Sequence, residues 1–173
     1  MNERIAVTGT PGTGKTTATK PLESVREIDV YHLNELIRDH GLFADRDEER
    51  DSLVADIEAI AAFLGEWNGV VESHLAHLLA VDRVVVLRCR PDVLERRLLD
   101  RGVDPESAAE NAESEALDLL LSEAVNRHGT DAVYEIDTTD RSPEEVTAAI
   151  EAVIDGNRSP AAGTVDFTEY LHG

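Results

Sequence analysis

Residues 9–16 read Gly9-Thr10-Pro11-Gly12-Thr13-Gly14-Lys15-Thr16, a full match to G-x-x-x-x-G-K-[ST]. No other feature of the chain limits its fold so tightly. An apolar stretch, Arg4–Thr8, leads into the loop, and a helix-forming stretch runs from Lys15 to about residue 23. Glycines let consecutive backbone N–H groups turn inward as an anion nest without side-chain clash. The start of a helix adds unpaired N–H groups and a positive dipole end. Such a loop is built for a chain of phosphates, so the implied ligand is ATP with Mg²⁺. Gly12, Thr13, Gly14, Lys15 and Thr16 are the expected phosphate ligands. Lys15 reaches the β- and γ-phosphates, the Thr16 hydroxyl serves the Mg²⁺, and Thr17 offers a further donor. At average residue usage, fewer than about one chain of this length in a hundred would match by chance.

The rest of the chain alternates short Val/Ile-rich stretches with helical ones. Strands are predicted at 27–30, 69–72 (GVVE), 83–88 (RVVVLR) and 132–136 (AVYEI), besides Arg4–Thr8. Helices are predicted at 31–40, which stops at Gly41, and at 53–64, where Leu53, Ile57, Ile60 and Leu64 repeat every three to four residues. Pro91 opens a helix to Arg101 with Gly102 as its stop, and Asp104 caps one continuing from Pro105 to about residue 126. Ser142-Pro143-Glu144-Glu145 is a capping box for a helix to about residue 154. The pattern predicts an α/β fold of P-loop NTPase type: a three-layer sandwich with a five-stranded parallel sheet and helices on both faces. Ligands in such sheets lie at the carboxyl ends of the strands, where the glycine loop sits. Residues 1–155 are expected to form one domain, and 156–173 a tail without periodicity. Phe167, Tyr170 and Leu171 in that tail are candidates to dock on the body or on a partner.

Charge narrows the partners. Thirty-six acids face sixteen bases, a formal net charge of −20, and only Lys15 and Lys20 are lysines. So acidic a surface repels nucleic acid and acidic membranes, so neither direct DNA binding nor membrane association is expected. It suits solubility, and more sharply a salt-loving source, where molar salt shortens the Debye length to about 3 Å. The single Cys89 excludes an internal disulfide and fits a reducing cytoplasm. No apolar run approaches the roughly 18–20 residues of a membrane span, and the N-terminus shows no signal peptide. Asp45, Asp47, Glu48, Glu49 and Asp51 lie in a charged segment, 44–51, read chiefly as solvated. A metal cluster and a partner-binding or substrate-gating loop are its other readings. Trp67, the one tryptophan, is read as a packing anchor.

The loop alone allows a kinase, a GTPase, an ATPase or a switch. N-K-x-D, the guanine signature, is absent, and the chain is short for a motor. A kinase must hold a second acidic substrate in line and exclude water, which calls for arginines on mobile segments. Arg38 follows the second strand, and Arg97 and Arg101 share a helix face at i,i+4 beside Gly102. Arg101 is placed to neutralise the transferring phosphoryl group. The competing reading pairs these arginines with neighbours such as Asp39 and Asp100.

The stretches GTPGTGKTT, LIRDHGLFADRDEERD, VVESH and VLRCRPDVLERRLLDRG, with the N-A-E that follows, resemble the adenylate kinase isoenzyme 6 family over about residues 4–155. Its members are small nuclear or archaeal adenylate kinases with ATPase activity, linked to maturation of the small ribosomal subunit. The resemblance implies a nucleoside monophosphate kinase using ATP and AMP with Mg²⁺ as cofactor, and a halophilic archaeon as source. It implies a monophosphate-binding segment at about 30–51 with Arg38 as phosphate ligand, and a short lid at about 101–111 with Arg101 on ATP. It places the adenine edge at Asp137-Thr138-Thr139, covered by Arg141. The family's third strand ends in Asp, with His two residues later; here these are Glu72 and His74, and the glycine after the His is Leu75. Glu72 is thereby expected to hold the magnesium water shell, and His74 to orient an attacking water; a capping or packing histidine is the alternative. A basic small-subunit ribosomal protein or pre-ribosomal particle is the implied partner, suited to the acidic surface. Two other functions stay open: a non-metabolic ATPase switch, and a kinase of another small substrate such as shikimate or a cytidylate.

Overall fold

A computed structural model describes residues 2–47 and 52–172, with side chains at 45–54 left out of the description. In chain order the elements are β1 (Arg4–Thr8), α1 (Lys15–Val25), β2 (Val30–His32), α2 (Leu33–His40), β3 (Phe43–Asp47), β4 (Ser52–Ala55), α3 (Ile57–Leu64) and β5 (Gly69–Glu72). There follow β6 (Arg83–Arg88), α4 (Pro91–Asp100), α5 (Pro105–Ala116), α6 (Leu119–His128), β7 (Val133–Asp137) and α7 (Pro143–Ile154). The main sheet runs β2-β5-β1-β6-β7 with every pairing parallel.

The strands read as continuous apolar runs because both faces are covered. Ile5, Val7, Val85, Leu87 and Ile136 point to one face, against Ala18 and Leu22 of α1 and Val146 and Ile150 of α7. Ala6, Val71, Val84 and Val86 point to the other, against α2, α3 and α6 through Leu33, Ile60 and Leu121. Each fully buried Val, Leu or Ile contributes about 1.5–3 kcal/mol relative to exposure. Trp67 anchors the second layer: it is buried, stands edge-on to Tyr31 at 5.6 Å, and carries the Arg4 guanidinium over its ring.

Four expectations need correcting. The second strand lies at Val30–His32 rather than 27–30, because parallel pairing with β5 uses Val30, Tyr31 and His32. The helix expected over 53–64 begins only at Ile57, where Asp56 caps it by accepting from the Ala59 N–H. Residues 52–55 instead pair antiparallel with Phe43–Asp47, so part of the segment 44–51 is strand. The acidic side chains at 45–51 lie outside the described residues. The single helix expected over 105–126 is two, broken where Asp118 adopts a left-handed φ of 56°.

The tail is placed on the body. Residue 161 forms a parallel bridge with Tyr134 on the outer side of β7, and Glu135 donates its N–H to the Ala161 carbonyl. A short 3₁₀ turn, Thr168–His172, follows, with the Tyr170 hydroxyl donating to Glu95 of α4 at 3.0 Å.

Candidate active site

The loop after β1 wraps the amino end of α1. That end has no side-chain cap and no acidic residue in its first turn, so its N–H groups face the cleft free of protein competition. Gly14 takes a left-handed φ of 92° as the residue that admits the helix. Gly12 combines a φ of +94° with close packing: a Cβ there would meet Leu94 and Leu98 of α4 at 3.0 Å. The loop therefore lies directly on α4, the helix that carries Arg97 and ends at the capping Arg101.

Lys15 is buried, and its ammonium donates to the carbonyls of Gly9 at 2.9 Å and Thr10 at 3.2 Å. Burial pushes its pKa down to about 8, against the attraction of Glu72 and with the help of Arg101. Thr16 donates its hydroxyl to Glu72 at 3.0 Å. The same Glu72 oxygen lies 2.7 Å from His32 Nδ1, and His32 Nε2 lies 3.2 Å from Glu23 of α1. His32 thus fixes the rotamer of Glu72 from the start of α2. A hydroxyl and a carboxylate side by side are an all-oxygen donor set of the kind a hard divalent cation prefers, so Thr16 and Glu72 fit the Mg²⁺ that a phosphate loop implies. His74 faces the same cleft, and burial, then Lys15 and His77, pull its pKa down to about 4. Its imidazole is neutral throughout the physiological range.

The cleft has a volume of about 860 Å³. It brings together Gly12, Thr13, Gly14, Lys15, Thr16 and Thr17 with Glu72, His74, Arg101 and Arg141. Arg97 joins them, donating weakly to the Gly12 carbonyl at 3.4 Å. Thr138 also lines the cleft, and its hydroxyl donates to the Arg88 carbonyl at 2.8 Å. Arg38 is not among the lining residues; it is exposed on α2, one helical turn beyond Asn34, which is. Sequence reasoning missed Asn34, His32 and Glu115. Nothing in their neighbourhoods marks them, since each acts across the fold: the pair His32–Glu72 spans 40 residues and Thr10–Glu115 spans 105. Arg88 carried a usable signal, a charge closing the apolar run VVVL in a doubly covered strand.

Among the described residues no group of three or more His, Cys, Asp or Glu is arranged to hold a metal ion by itself, and no helix is long and apolar enough to cross a membrane. Cys89 is buried, and burial raises its thiol pKa to about 11, so it is no nucleophile at neutral pH.

Residues 5–118 match the family model described as an AAA domain. A solved structure of shikimate kinase from Bacteroides thetaiotaomicron shares the fold, with a TM-score of 0.57 and 20% identity over 88% of this chain and 98% of that one. A Natronomonas pharaonis protein named "Putative adenylate kinase" is 66% identical, covering 97% of this chain and 99% of its own length. A Halobacterium salinarum protein of the same name is 59% identical, covering 97% and 99%. The chain belongs to the AAA-domain family, within the group of archaeal proteins that share that name.

Proposed function

We propose that the chain is a nucleoside monophosphate kinase of the adenylate kinase isoenzyme 6 type, converting ATP and AMP to two ADP. The observation that carries this is the placement of Arg97 and Arg101 in one cleft with Lys15, Thr16 and Asn34. ATP phosphates lie on the loop amides and Lys15. An oxygen of the AMP phosphate attacks the γ-phosphorus, the bond to the bridging oxygen breaks, and ADP leaves, with no covalent enzyme intermediate. Arg101 and Arg97 offset charge on the transferring group. Thr16, with Glu72 through the water shell, would hold a Mg²⁺ that supplies charge neutralisation on the phosphates. On this reading Arg38, which stands outside the cleft on α2, would move in to take the acceptor phosphate, residues 101–111 act as the lid, and Arg141 covers the base. The archaeal relatives' shared name supports the reading.

ATP hydrolysis is a second activity of the same cleft. His74 favours it, since a neutral imidazole beside the phosphate loop can orient water. The proposed setting is the cytoplasm, in line with a free buried cysteine, and the proposed partner is a basic protein of the small ribosomal subunit, matched to a chain of charge −20. The test is purified protein in molar KCl with ATP and Mg²⁺, with and without AMP. ADP that forms only with AMP supports the kinase. Phosphate released without AMP, and faster with the ribosomal partner, supports the switch. Lys15→Ala and Arg101→Ala are each expected to lower transfer at least a hundredfold while melting stays cooperative; a large loss of melting temperature in both would mean their roles are structural.

A further inference from the structure

Arg88, at the carboxyl end of β6, is completely buried, yet it faces three carboxylates: Glu115 at 3.1 Å, Glu135 at 2.6 Å, and Asp118. Burial works against the charge of its guanidinium, and Glu115, Asp118 and Glu135 outweigh it. A buried ionic network is costly to assemble and contributes little net stability, so what it holds in place matters more than its energy. The contacts show what is fixed. Glu115, near the end of α5, accepts from the Arg88 Nε, from the Cys89 N–H at 2.9 Å, and from the Thr10 hydroxyl at 3.3 Å. Thr10 is the first variable residue of the phosphate loop, and its carbonyl accepts from Lys15 and from Thr13. Arg88 also donates to the Glu115 carbonyl and to Asp118, at the break that ends α5. One guanidinium thus ties the foot of the helix bearing residues 105–116 to the loop that holds Lys15.

The network is covered from outside by the tail. Glu135 Oε1 accepts from the Thr164 N–H at 2.9 Å, the Thr164 hydroxyl at 3.0 Å and the Val165 N–H. The Phe167 ring lies over the Arg88 guanidinium at 5.4 Å.

We propose that Arg88 and Glu115 are positioning residues of the triphosphate site, clamping the first turn of the phosphate loop to the base of the lid helix under the cover of the tail. The inference rests on the reading of this cleft as an ATP site. Neither residue lines the cleft; both act through Thr10 and the foot of α5.

Glu115→Gln keeps the volume but loses the charge pairing with Arg88 and turns one acceptor into a donor. Calorimetry should then show ATP affinity weakened at least tenfold, with AMP affinity within twofold of wild type. A general structural defect would weaken both. An ATP affinity within twofold of wild type in folded Glu115→Gln overturns the proposal, as does an equal loss for AMP. Phe167→Ala serves where Glu115→Gln fails to fold. It should weaken ATP binding about threefold and raise amide hydrogen exchange together in residues 9–16 and 105–118; unchanged exchange in the loop overturns the proposal. Because the readout is binding, a wild type that binds ATP but transfers nothing to AMP defeats the kinase reading and leaves the clamp to be judged on ATP affinity and exchange alone.

Discussion

Lys15 carries a conflict between stability and use. In the folded chain its pKa falls from 10.5 to about 8, mainly through burial. Below pH 8 the folded and unfolded chains both hold the proton, so the full penalty for burying the charge is present. Between pH 8 and 10.5 the folded state sheds the proton first and the penalty fades. Lys15→Met should therefore be more stable than wild type by about 1–3 kcal/mol at pH 7 without nucleotide. The gain should shrink as pH rises through that window, as thermal melts at a series of pH values would show. The loop itself was legible in the sequence because its eight residues are contiguous and each type has one physical reason to be there. Glu72 was legible only through the family pattern, and its partner His32 not at all, because that contact depends on β2 and β5 lying side by side.

At the level of elements, the strands were legible where both faces are buried and less so where pairing sets the ends. The periodicity of Leu53, Ile57, Ile60 and Leu64 is helical, yet the first of these belongs to β4. A short apolar run fits either structure, and its partner strand was hidden in a charged stretch. The break between α5 and α6 was illegible for a different reason. Neither Leu117 nor Asp118 is a helix breaker; the buried Arg88, which draws on the Glu115 carbonyl and the Asp118 carboxylate, favours the turn. Asp56 is the one residue whose local chemistry starts α3, accepting from the Ala59 N–H at 3.0 Å. Asp56→Ala should cost about 1 kcal/mol and lower the melting temperature by roughly 2–4 °C. Asp56→Ser should recover most of the loss.

Across the whole molecule, charge and function pull apart. A protein of net charge −20 has to bind a polyanion, and it does so at a cleft where cations are gathered. Lys15 is buried and Arg97 half-buried, and the exposed Arg101 and Arg141 complete the cleft within an acidic envelope. Salt screens the self-repulsion of that envelope more effectively than contacts inside the recess. The melting temperature should rise steeply between low and molar KCl, as scanning calorimetry in a KCl series would reveal; a flat dependence would contradict a fold adapted to salt.

The cover that Phe167 lays over Arg88 also has a consequence in time. Synthesis reaches the phosphate loop before its cover, because the ring that shields its clamp lies about 150 positions after Thr16. A chain made only as far as the loop still lacks β5 and β6, which flank β1 in the sheet, as well as α5 and the tail. On this proposal the nucleotide site of a growing chain would tighten only when the tail emerges, and by no more than the threefold expected of Phe167→Ala.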